Sequence, residues 1–175
     1  MTESTTSTTL SVRPATEDDL DAVLAVEKRC YKHPWSRAQF AEELKTKNSQ
    51  FLVLTDDETD TLVAGYVVFR DLGTESHLLN VAVEHGWRGL GMGNRLVGMA
   101  INHAYRHEQE RVFLEVRTEN LAAMTLYEKM GFRRITVRKK FYSNGDDAFF
   151  MQLDLEKTSD SDVSDDNDRE SSPLH

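Results

Sequence analysis

The sequence predicts an α/β protein in which a central mixed sheet carries helices on both faces. Apolar segments with strand patterning alternate with segments whose apolar residues recur at helical spacing. Short polar turns separate two pairs of strands, and one strand–helix–strand unit lies near the centre. The predicted order is β-α-α-β-β-β-α-β-α-β-β. The 175 residues, of which 39% are hydrophobic, suit one domain with a substantial core.

The N-terminal part of the chain predicts one short strand and two helices. The strand spans 9–15, and the helices end near Cys30 and near residue 46. Each helix begins with a capping-box pattern, in which Ser or Thr is followed three residues later by a side chain that can bond back to it. The two patterns are Thr16 with Asp19 and Ser36 with Gln39.

The central part predicts a three-stranded antiparallel meander followed by a crossover. The strands are 50–56, 61–70 and 76–84, and apolar residues at helical spacing follow over 96–104. The next strand is 111–117. Because a helical crossover usually joins parallel strands, the third and fourth of these strands should be parallel, with a right-handed connection.

The C-terminal part predicts a helix and a hairpin. Asn120 is the expected N-cap of the helix, and Gly131 is the expected residue just beyond its end. Strands 132–142 and 147–155 should pair antiparallel around the turn sequence SNGD.

Composition divides the chain into a folded domain at 10–156 and two segments, 1–9 and 157–175, that are expected to be disordered. The C-terminal segment is rich in Ser and Asp, has almost no apolar residues, and carries −4 of the net charge of −9. An acidic chain is a poor partner for nucleic acid and suits a cationic acceptor.

Membrane proteins, secreted proteins and metal-binding proteins are disfavoured by features that the sequence lacks. No segment approaches the roughly 18 apolar residues of a membrane span, and the N-terminus has no secretory pattern. The single cysteine, Cys30, fits a reduced, cytoplasmic setting and is expected to be a buried helix residue instead of a nucleophile. The six histidines are scattered along the chain and are interpreted as non-ligands, so no metal is predicted.

The most distinctive stretch is HGWRGLGMGNRLV at 85–97, which places four of the nine glycines within eight residues. It joins an apolar strand to a helix. A helix N-terminus offers unpaired N–H groups and the positive end of a dipole, and glycine lets a ligand approach the backbone closely. The stretch predicts phosphate binding by the amides of about 88–94, with Arg88 or Arg95 nearby. A tight turn required only for packing is the alternative.

Two widespread phosphate motifs do not match this stretch. The Walker motif requires Lys and then Ser or Thr after its last glycine, whereas Asn94 and Arg95 follow Gly93. The dinucleotide-binding motif has the spacing G-x-G-x-x-G and belongs to a mainly parallel sheet. A small Rossmann-like nucleotide-binding protein is therefore a disfavoured alternative.

The pattern Arg88-x-x-Gly91-x-Gly93 resembles the pyrophosphate-binding motif of the GNAT family of acetyl-CoA-dependent N-acetyltransferases. The predicted strand order also matches that fold, over nearly all of 10–156. Three further segments, HPWS, LEVRTENLAAMTLYEKMGF and FYSNGDDAFFM, resemble the bacterial RimI-type enzymes, which acetylate the N-terminal alanine of a small-subunit ribosomal protein. Trp87 stands where the family usually has Tyr, and the acidic tail has no counterpart in the pattern.

The resemblance implies the roles of particular residues. Glu115 matches the catalytic base, which would act through water, and Tyr127 matches the acid. By pattern alone, Glu115 would also suit a salt bridge, for example with Arg117, and Tyr127 a position in the core. The resemblance assigns acetyl-CoA binding to Val81, Ala82, Val83, Arg88, Gly89, Leu90, Gly91, Met92, Gly93, Asn94 and Asn120. It assigns the acceptor groove to Pro34, Trp35 and Tyr142.

The resulting prediction is direct transfer of acetyl from acetyl-CoA to the N-terminal α-amine, with alanine first, of a ribosomal protein in a ternary complex. A cytoplasmic monomer or weak dimer with no membrane or nucleic-acid partner is expected. Two alternatives stay open: the same reaction on a lysine, a polyamine or a small molecule, and an acetyl-CoA-binding module without turnover. The presence of both Glu115 and Tyr127 disfavours the second.

Overall fold

The structure, a computed structural model, describes residues 8–157, so the segments predicted to be disordered lie almost entirely outside the described residues. Within this part of the chain, seven strands and four α-helices follow the predicted order. The strands are β1 (Leu10–Pro14), β2 (Ser49–Asp56), β3 (Val63–Asp71), β4 (Glu75–Val83), β5 (Arg111–Arg117), β6 (Arg133–Arg138) and β7 (Ala148–Asp154). The helices are α1 (Leu20–Cys30), α2 (Arg37–Lys45), α3 (Met92–Arg106) and α4 (Leu121–Lys129).

The strands form one mixed sheet in the order β1-β2-β3-β4-β5-β7-β6. Every neighbouring pair is antiparallel except β4 and β5, which are parallel and connected by α3. The α/β fold class and the central strand–helix–strand unit are therefore confirmed. The sequence pattern does not indicate that β7 lies between β5 and β6.

Helices cover both faces of the sheet, and each face has its own apolar core. α1 and α2 pack on one face, where Leu20, Phe40 and Tyr66 are almost fully buried. α3 and α4 pack on the other face, where Leu96 and Met124 join the apolar side chains of the central strands. Each large apolar side chain buried in this way contributes about 1.5–3 kcal/mol. No helix within residues 8–157 combines the length and the apolarity that a bilayer crossing requires.

The two predicted capping boxes are confirmed. The Asp19 carboxylate accepts the Thr16 N–H at 2.7 Å, and the Ser36 hydroxyl accepts the Gln39 N–H at 3.2 Å. Arg13 on β1 also holds both oxygens of Asp19, and this guanidinium is the main cause that lowers the pKa of Asp19. The start of the first helical segment is thereby fixed to the edge of the sheet.

The predicted C-terminal hairpin is correct in its pairing and wrong in its turn. β6 and β7 pair antiparallel, but residues 139–147 form a loop instead of a tight turn around SNGD. A turn does form there, with the Gly145 N–H bonded to the Tyr142 carbonyl at 2.9 Å. The ladder does not reach it, because Lys140 has a φ of +51° and its N–H is taken by the Asp147 carboxylate.

β4 and β5 are paired only over their first four residues. The pairs run from Glu75 with Arg111 to Leu78 with Leu114. Leu79 is then skipped in the pairing of β4 with β3, which marks a β-bulge. Beyond this point β4 and β5 have no further pairs, and a gap opens at the end of β4 that leads into α3.

Candidate active site

A glycine-rich turn connects β4 to α3 at this gap. Gly89 and Gly91 have φ values of +77° and +79°, in the left-handed region that favours glycine. Gly91 is the N-cap of α3, so the N–H groups of the first helical turn lack intrahelical acceptors and can receive an anion. Gly93 instead allows α3 to pack closely against α4, since a Cβ built there would lie 3.2 Å from the Leu126 side chain of α4.

A cleft of about 590 Å³, which we call the glycine cleft, is lined by this turn, the end of β4 and α4. It brings together ten of the eleven residues predicted to bind acetyl-CoA. The exception is Leu90, which is 61% exposed and does not line the cleft. Lys129 and Tyr31 also line it and were not anticipated from the sequence.

The two arginines of the glycine-rich stretch have different positions. Arg88 lines the glycine cleft, and its Nε donates to the Val83 carbonyl at 2.9 Å. Arg95 donates to the Leu10 carbonyl of β1 at 2.8 Å. Of the two cations proposed near a phosphate, the structure therefore places Arg88 at the cleft and uses Arg95 to hold α3 to the sheet.

The last residues of β4 turn their backbone groups into the gap. The Val81 carbonyl accepts the Tyr31 hydroxyl, and the Val83 carbonyl accepts Arg88 Nε and lies 3.5 Å from Cys30 Sγ. Because alternate residues of a strand direct their N–H and C=O groups to the same edge, the N–H groups of Val81 and Val83 also face away from β3. Burial raises the pKa of the Cys30 thiol, which keeps this group protonated and unreactive at neutral pH.

Tyr127 lies where the glycine cleft meets a second cleft and lines both. Its side chain is 7% exposed, and burial raises the pKa of the phenol well above its usual value. Within residues 8–157, no hydrogen bond engages its hydroxyl, which still has access to the clefts. The phenol is therefore protonated at neutral pH and free to donate.

Local signals in the sequence fix the position of Tyr127. Asn120 caps α4 by accepting the Ala123 N–H at 3.2 Å, as predicted, and this residue lines both clefts. Gly131, with a φ of +98°, follows the end of the helix, and the Phe132 N–H donates to the Tyr127 carbonyl at 3.0 Å. Both ends of this short helix are thus closed, as the sequence predicts.

The second cleft, of about 530 Å³, contains two buried carboxylates, and we call it the carboxylate cleft. Glu115 on β5 is one of them. One of its oxygens lies 2.6 Å from His77 Nε2 and the other lies 3.0 Å from Arg138 Nη1. The salt bridge that the sequence offers as the alternative role of Glu115 is therefore present, but its partner is Arg138. Arg117, the partner suggested from the sequence, pairs with Asp146 and stacks 3.8 Å over the Tyr142 ring.

The other carboxylate, Glu27 on α1, was not identified from the sequence. It is 1% exposed and accepts hydrogen bonds from the Trp35 N–H at 2.8 Å, from Asn80 Nδ2 at 3.2 Å and from the Tyr66 hydroxyl. Burial raises the pKa of Glu27 despite these donors. A signal was present, because Glu27 follows Leu20 and Val23 at helical spacing on the apolar face of α1.

The residues assigned to an acceptor groove lie at this cleft. Pro34 and Trp35 line one side, on the segment between α1 and α2, and Tyr142 lines another from the loop after β6. Glu27 fixes the backbone of Trp35, while Arg117 holds Tyr142. Two loops that are distant in sequence therefore flank one opening beside Glu115 and Tyr127.

Comparison with known proteins gives the family. Residues 20–132 match the model of the acetyltransferase (GNAT) family. A Bacillus subtilis protein, designated a candidate ribosomal protein bS18-alanine N-acetyltransferase, is 30% identical over 150 residues, which cover 85% of this chain and 97% of that protein. An N-alpha-acetyltransferase of Sulfurisphaera tokodaii is 29% identical over 157 residues, which cover 82% of this chain and 92% of that protein.

The fold agrees with a solved member of this group. The crystal structure of the ribosomal-protein-S18-alanine N-acetyltransferase from Escherichia coli matches with a TM-score of 0.76 and 27% identity, covering 87% of this chain and 98% of that one. The glycine-rich start of α3 and the separation of β4 from β5 are the features that shape the clefts within this fold. The chain therefore belongs to the GNAT family and is an acetyl-CoA-dependent N-acetyltransferase.

Proposed function

We propose that this enzyme transfers acetyl directly from acetyl-CoA to the N-terminal α-amine of a ribosomal protein that begins with alanine. The names of the Bacillus subtilis and Escherichia coli proteins support this acceptor. Direct transfer from acetyl-CoA to the amine is supported by one observation: the glycine and carboxylate clefts meet and share lining residues, Tyr127 among them. Because ribosomal proteins are synthesised in the cytoplasm, the proposal places the reaction there.

The glycine cleft has the chemistry that acetyl-CoA requires. We assign the pyrophosphate to the amides of about 88–94 and to Arg88, since these groups combine free N–H donors with a cation. We assign the pantetheine arm to the exposed backbone edge of β4 between Val81 and Val83, with Asn120 opposite. Leu90 contributes only its backbone in this arrangement, because its side chain is exposed.

Glu115 is the proposed base. The amine nitrogen forms the new bond to the thioester carbon, the carbon–sulfur bond breaks, and the proton lost by nitrogen passes to Glu115 through a water molecule. His77 and Arg138 each hold one carboxylate oxygen, which fixes the orientation of the group. An unperturbed α-amine has a pKa of about 8, so roughly a tenth of it is already neutral at pH 7, and Glu115 takes the proton that this neutral amine loses as it attacks.

Tyr127 is the proposed acid. Its raised pKa keeps the proton on the phenol until negative charge develops on the departing sulfur. The phenol then donates a hydrogen bond to the thiolate and supplies the proton that completes the leaving thiol. In a buried setting this donation has more effect than in water, because solvent does not compete for the thiolate.

The acceptor assignment rests on the shape of the carboxylate cleft and on the net charge of the chain. An α-amine at the end of a chain can enter between the loops of Trp35 and Tyr142 with the rest of the peptide outside. Residues 1–156 carry −5 of the net charge of −9, which attracts a basic ribosomal protein. A lysine side chain, whose ordinary pKa is about 10.4, is a weaker acceptor because far less of it is neutral at pH 7. Polyamines and small amines remain the alternative acceptors.

The test uses purified enzyme, acetyl-CoA and two matched peptides. The first has a free N-terminal alanine followed by an arginine-rich sequence, and the second has a blocked N-terminus and one free lysine. We expect mass spectrometry to locate the acetyl group on the α-amine of the first peptide, with kcat/KM falling as salt rises. Acetylation of the lysine with the α-amine left free would refute the acceptor and leave the family assignment intact.

A further inference from the structure

Three side chains with metal-binding groups lie together at the opposite end of α3 from the glycine cleft. Asp71 ends β3, while His103 and His107 belong to the last turn of α3 and the residue after it. One candidate ligand atom from each lies within 4.8 Å of the other two. The two histidines have the spacing H-x-x-x-H, which places both imidazoles on one helix face. The interpretation of all six histidines as scattered non-ligands missed this pair.

The geometry of the cluster fits a shared cation. His103 Nε2 lies 3.3 Å from Asp71 Oδ2, and the two imidazole rings are stacked with centroids 4.0 Å apart, so a shared ion requires a small turn of the rings that makes their in-plane lone pairs converge. For metal–ligand bonds of about 2.0–2.1 Å, two ligand atoms on a tetrahedral zinc ion are about 3.4 Å apart. The pair of Asp71 and His103 already meets this spacing, and a candidate atom of the exposed His107 lies within 4.8 Å of both, so a small movement of this side chain would complete the set.

The surroundings hold the Asp71 carboxylate in a fixed orientation. Its Oδ1 accepts the Gly73 N–H at 2.9 Å and Gln109 Nε2 at 2.8 Å. Gln109 is only 2% exposed, and its other amide atom accepts the hydroxyl of the buried Ser76. These bonds occupy one oxygen of Asp71 and leave Oδ2 directed to the histidines. Outer partners of this kind orient the ligands in metal sites.

The tautomer of His107 also suits a ligand. Its Nδ1 lies 2.8 Å from the His103 carbonyl, which can only accept, so Nδ1 carries the proton. Nε2 is then unprotonated and available to a metal, as in metal sites where a ligating histidine donates its second N–H to a carbonyl. The C-terminus of α3 adds the negative end of its helix dipole, which favours a cation.

We propose that Asp71, His103 and His107 form a binding site for a divalent late first-row metal ion, with zinc as the representative. Two imidazoles and one carboxylate are ligands that zinc accepts, and water completes the coordination. The fifteen residues of α3 span about 22 Å, so the site is separate from the acetyl-transfer clefts. A bound ion would join the turn after β3 to the end of α3 and stabilise the fold.

The experiment is calorimetric titration of the tag-free full chain with zinc, followed by cobalt binding monitored by visible absorption. We expect one strong site, at least tenfold weaker in His107→Ala, with the same loss in the cobalt spectrum. His85→Ala is the matched control, because His85 has a 60% exposed side chain and lies outside the cluster. The thermal unfolding temperature should rise with zinc in the wild-type protein and in the control, and chelator should reverse the rise.

Two results would overturn the metal site. One is the absence of binding at zinc concentrations up to about 100 times that of the protein. The other is binding of equal strength in His107→Ala, which would assign the ion to other groups such as the acidic C-terminal segment. In either case Asp71 and His103 would form only a polar contact between β3 and α3. The acetyl-transfer proposal is unaffected by both results, because it uses none of these residues.

Discussion

The two clefts that meet at Tyr127 are built in different ways. The glycine cleft is formed by backbone: left-handed glycines, the first turn of α3 and the unpaired edge of β4. The carboxylate cleft is formed by side chains from α1, α4, β4 and β5, and from the loops before α2 and after β6. A backbone site suits an invariant ligand such as a phosphate, whereas a side-chain site can change its acceptor through a few substitutions. We therefore expect the glycine cleft to bind acetyl-CoA and the carboxylate cleft to select the acceptor and to carry the catalytic groups.

The largest effect is expected from the two groups proposed to move protons. Glu115→Gln and Tyr127→Phe should each lower kcat about 10²-fold or more while the affinity for acetyl-CoA stays near that of the wild type. Tyr105→Phe is the matched control, since Tyr105 on α3 is 50% exposed and remote from the clefts. Steady-state kinetics measures the loss of kcat, and calorimetry measures the affinity for acetyl-CoA. Normal turnover of both variants would mean that the clefts act by positioning alone.

A smaller effect, confined to the affinity for acetyl-CoA, is expected from replacing Gly91, the N-cap of α3. Gly91→Val should weaken acetyl-CoA binding about 5–30-fold, because the left-handed conformation costs a non-glycine residue about 1–2 kcal/mol, so the turn relaxes in the free protein and binding must restore it. Gly98→Val is the control, because Gly98 lies inside α3 and no atom lies within 4 Å of a Cβ built there. Calorimetry on the folded proteins measures both. Equal affinities in the two variants would show that the left-handed turn is not required for binding.

The smallest effect is expected for stability at the carboxylate cleft. Because burial raises the pKa of Glu27 in the folded protein, the stability that this group contributes is full below its unfolded pKa of about 4.3. That contribution is lost as the pH rises through the folded pKa. The Glu27→Gln variant should therefore gain in free energy of unfolding relative to the wild type as the pH increases from about 4 to 7.

Denaturant unfolding at several pH values measures this difference for Glu27. Glu42→Gln is the control for the loss of one negative charge, since Glu42 lies on the exposed side of α2. A difference between Glu27→Gln and wild type that is independent of pH would contradict the assigned role of burial. It would mean that the three donors to Glu27 fully compensate its removal from water.

The same contrast explains what could be predicted from the sequence. The glycine turn occupies one continuous stretch of sequence. Its glycine spacing and the start of the helix could therefore be predicted from local residue types, as could its left-handed glycines. The order of helices and strands could be predicted for the same reason, because helix and strand periodicity are local properties of the sequence. The caps at Ser36 and Asn120 follow from residue types that satisfy nearby N–H groups.

The side-chain partners that come from distant parts of the chain were not predicted. Glu115 is held by Arg138, which is near only because β7 and β6 follow β5 in the sheet, while the sequence neighbour Arg117 is drawn to Asp146. Glu27 is paired with Asn80, which lies 53 residues further along the chain. The strand order at the β6 edge depends on such non-local pairing, and no local pattern encodes it.

The missing ladder between β4 and β5 also has a consequence for the cohesion of the molecule. With only four residue pairs joining them, the sheet consists of two leaves, β1–β4 and β5–β7–β6. The amides of Val81 and Val83 lie deep within the domain yet have no strand across the gap, so their hydrogens should exchange with solvent faster than those of their neighbours. A ligand in the gap would bridge the leaves and slow that exchange. Each catalytic cycle would then tighten and release the middle of the sheet.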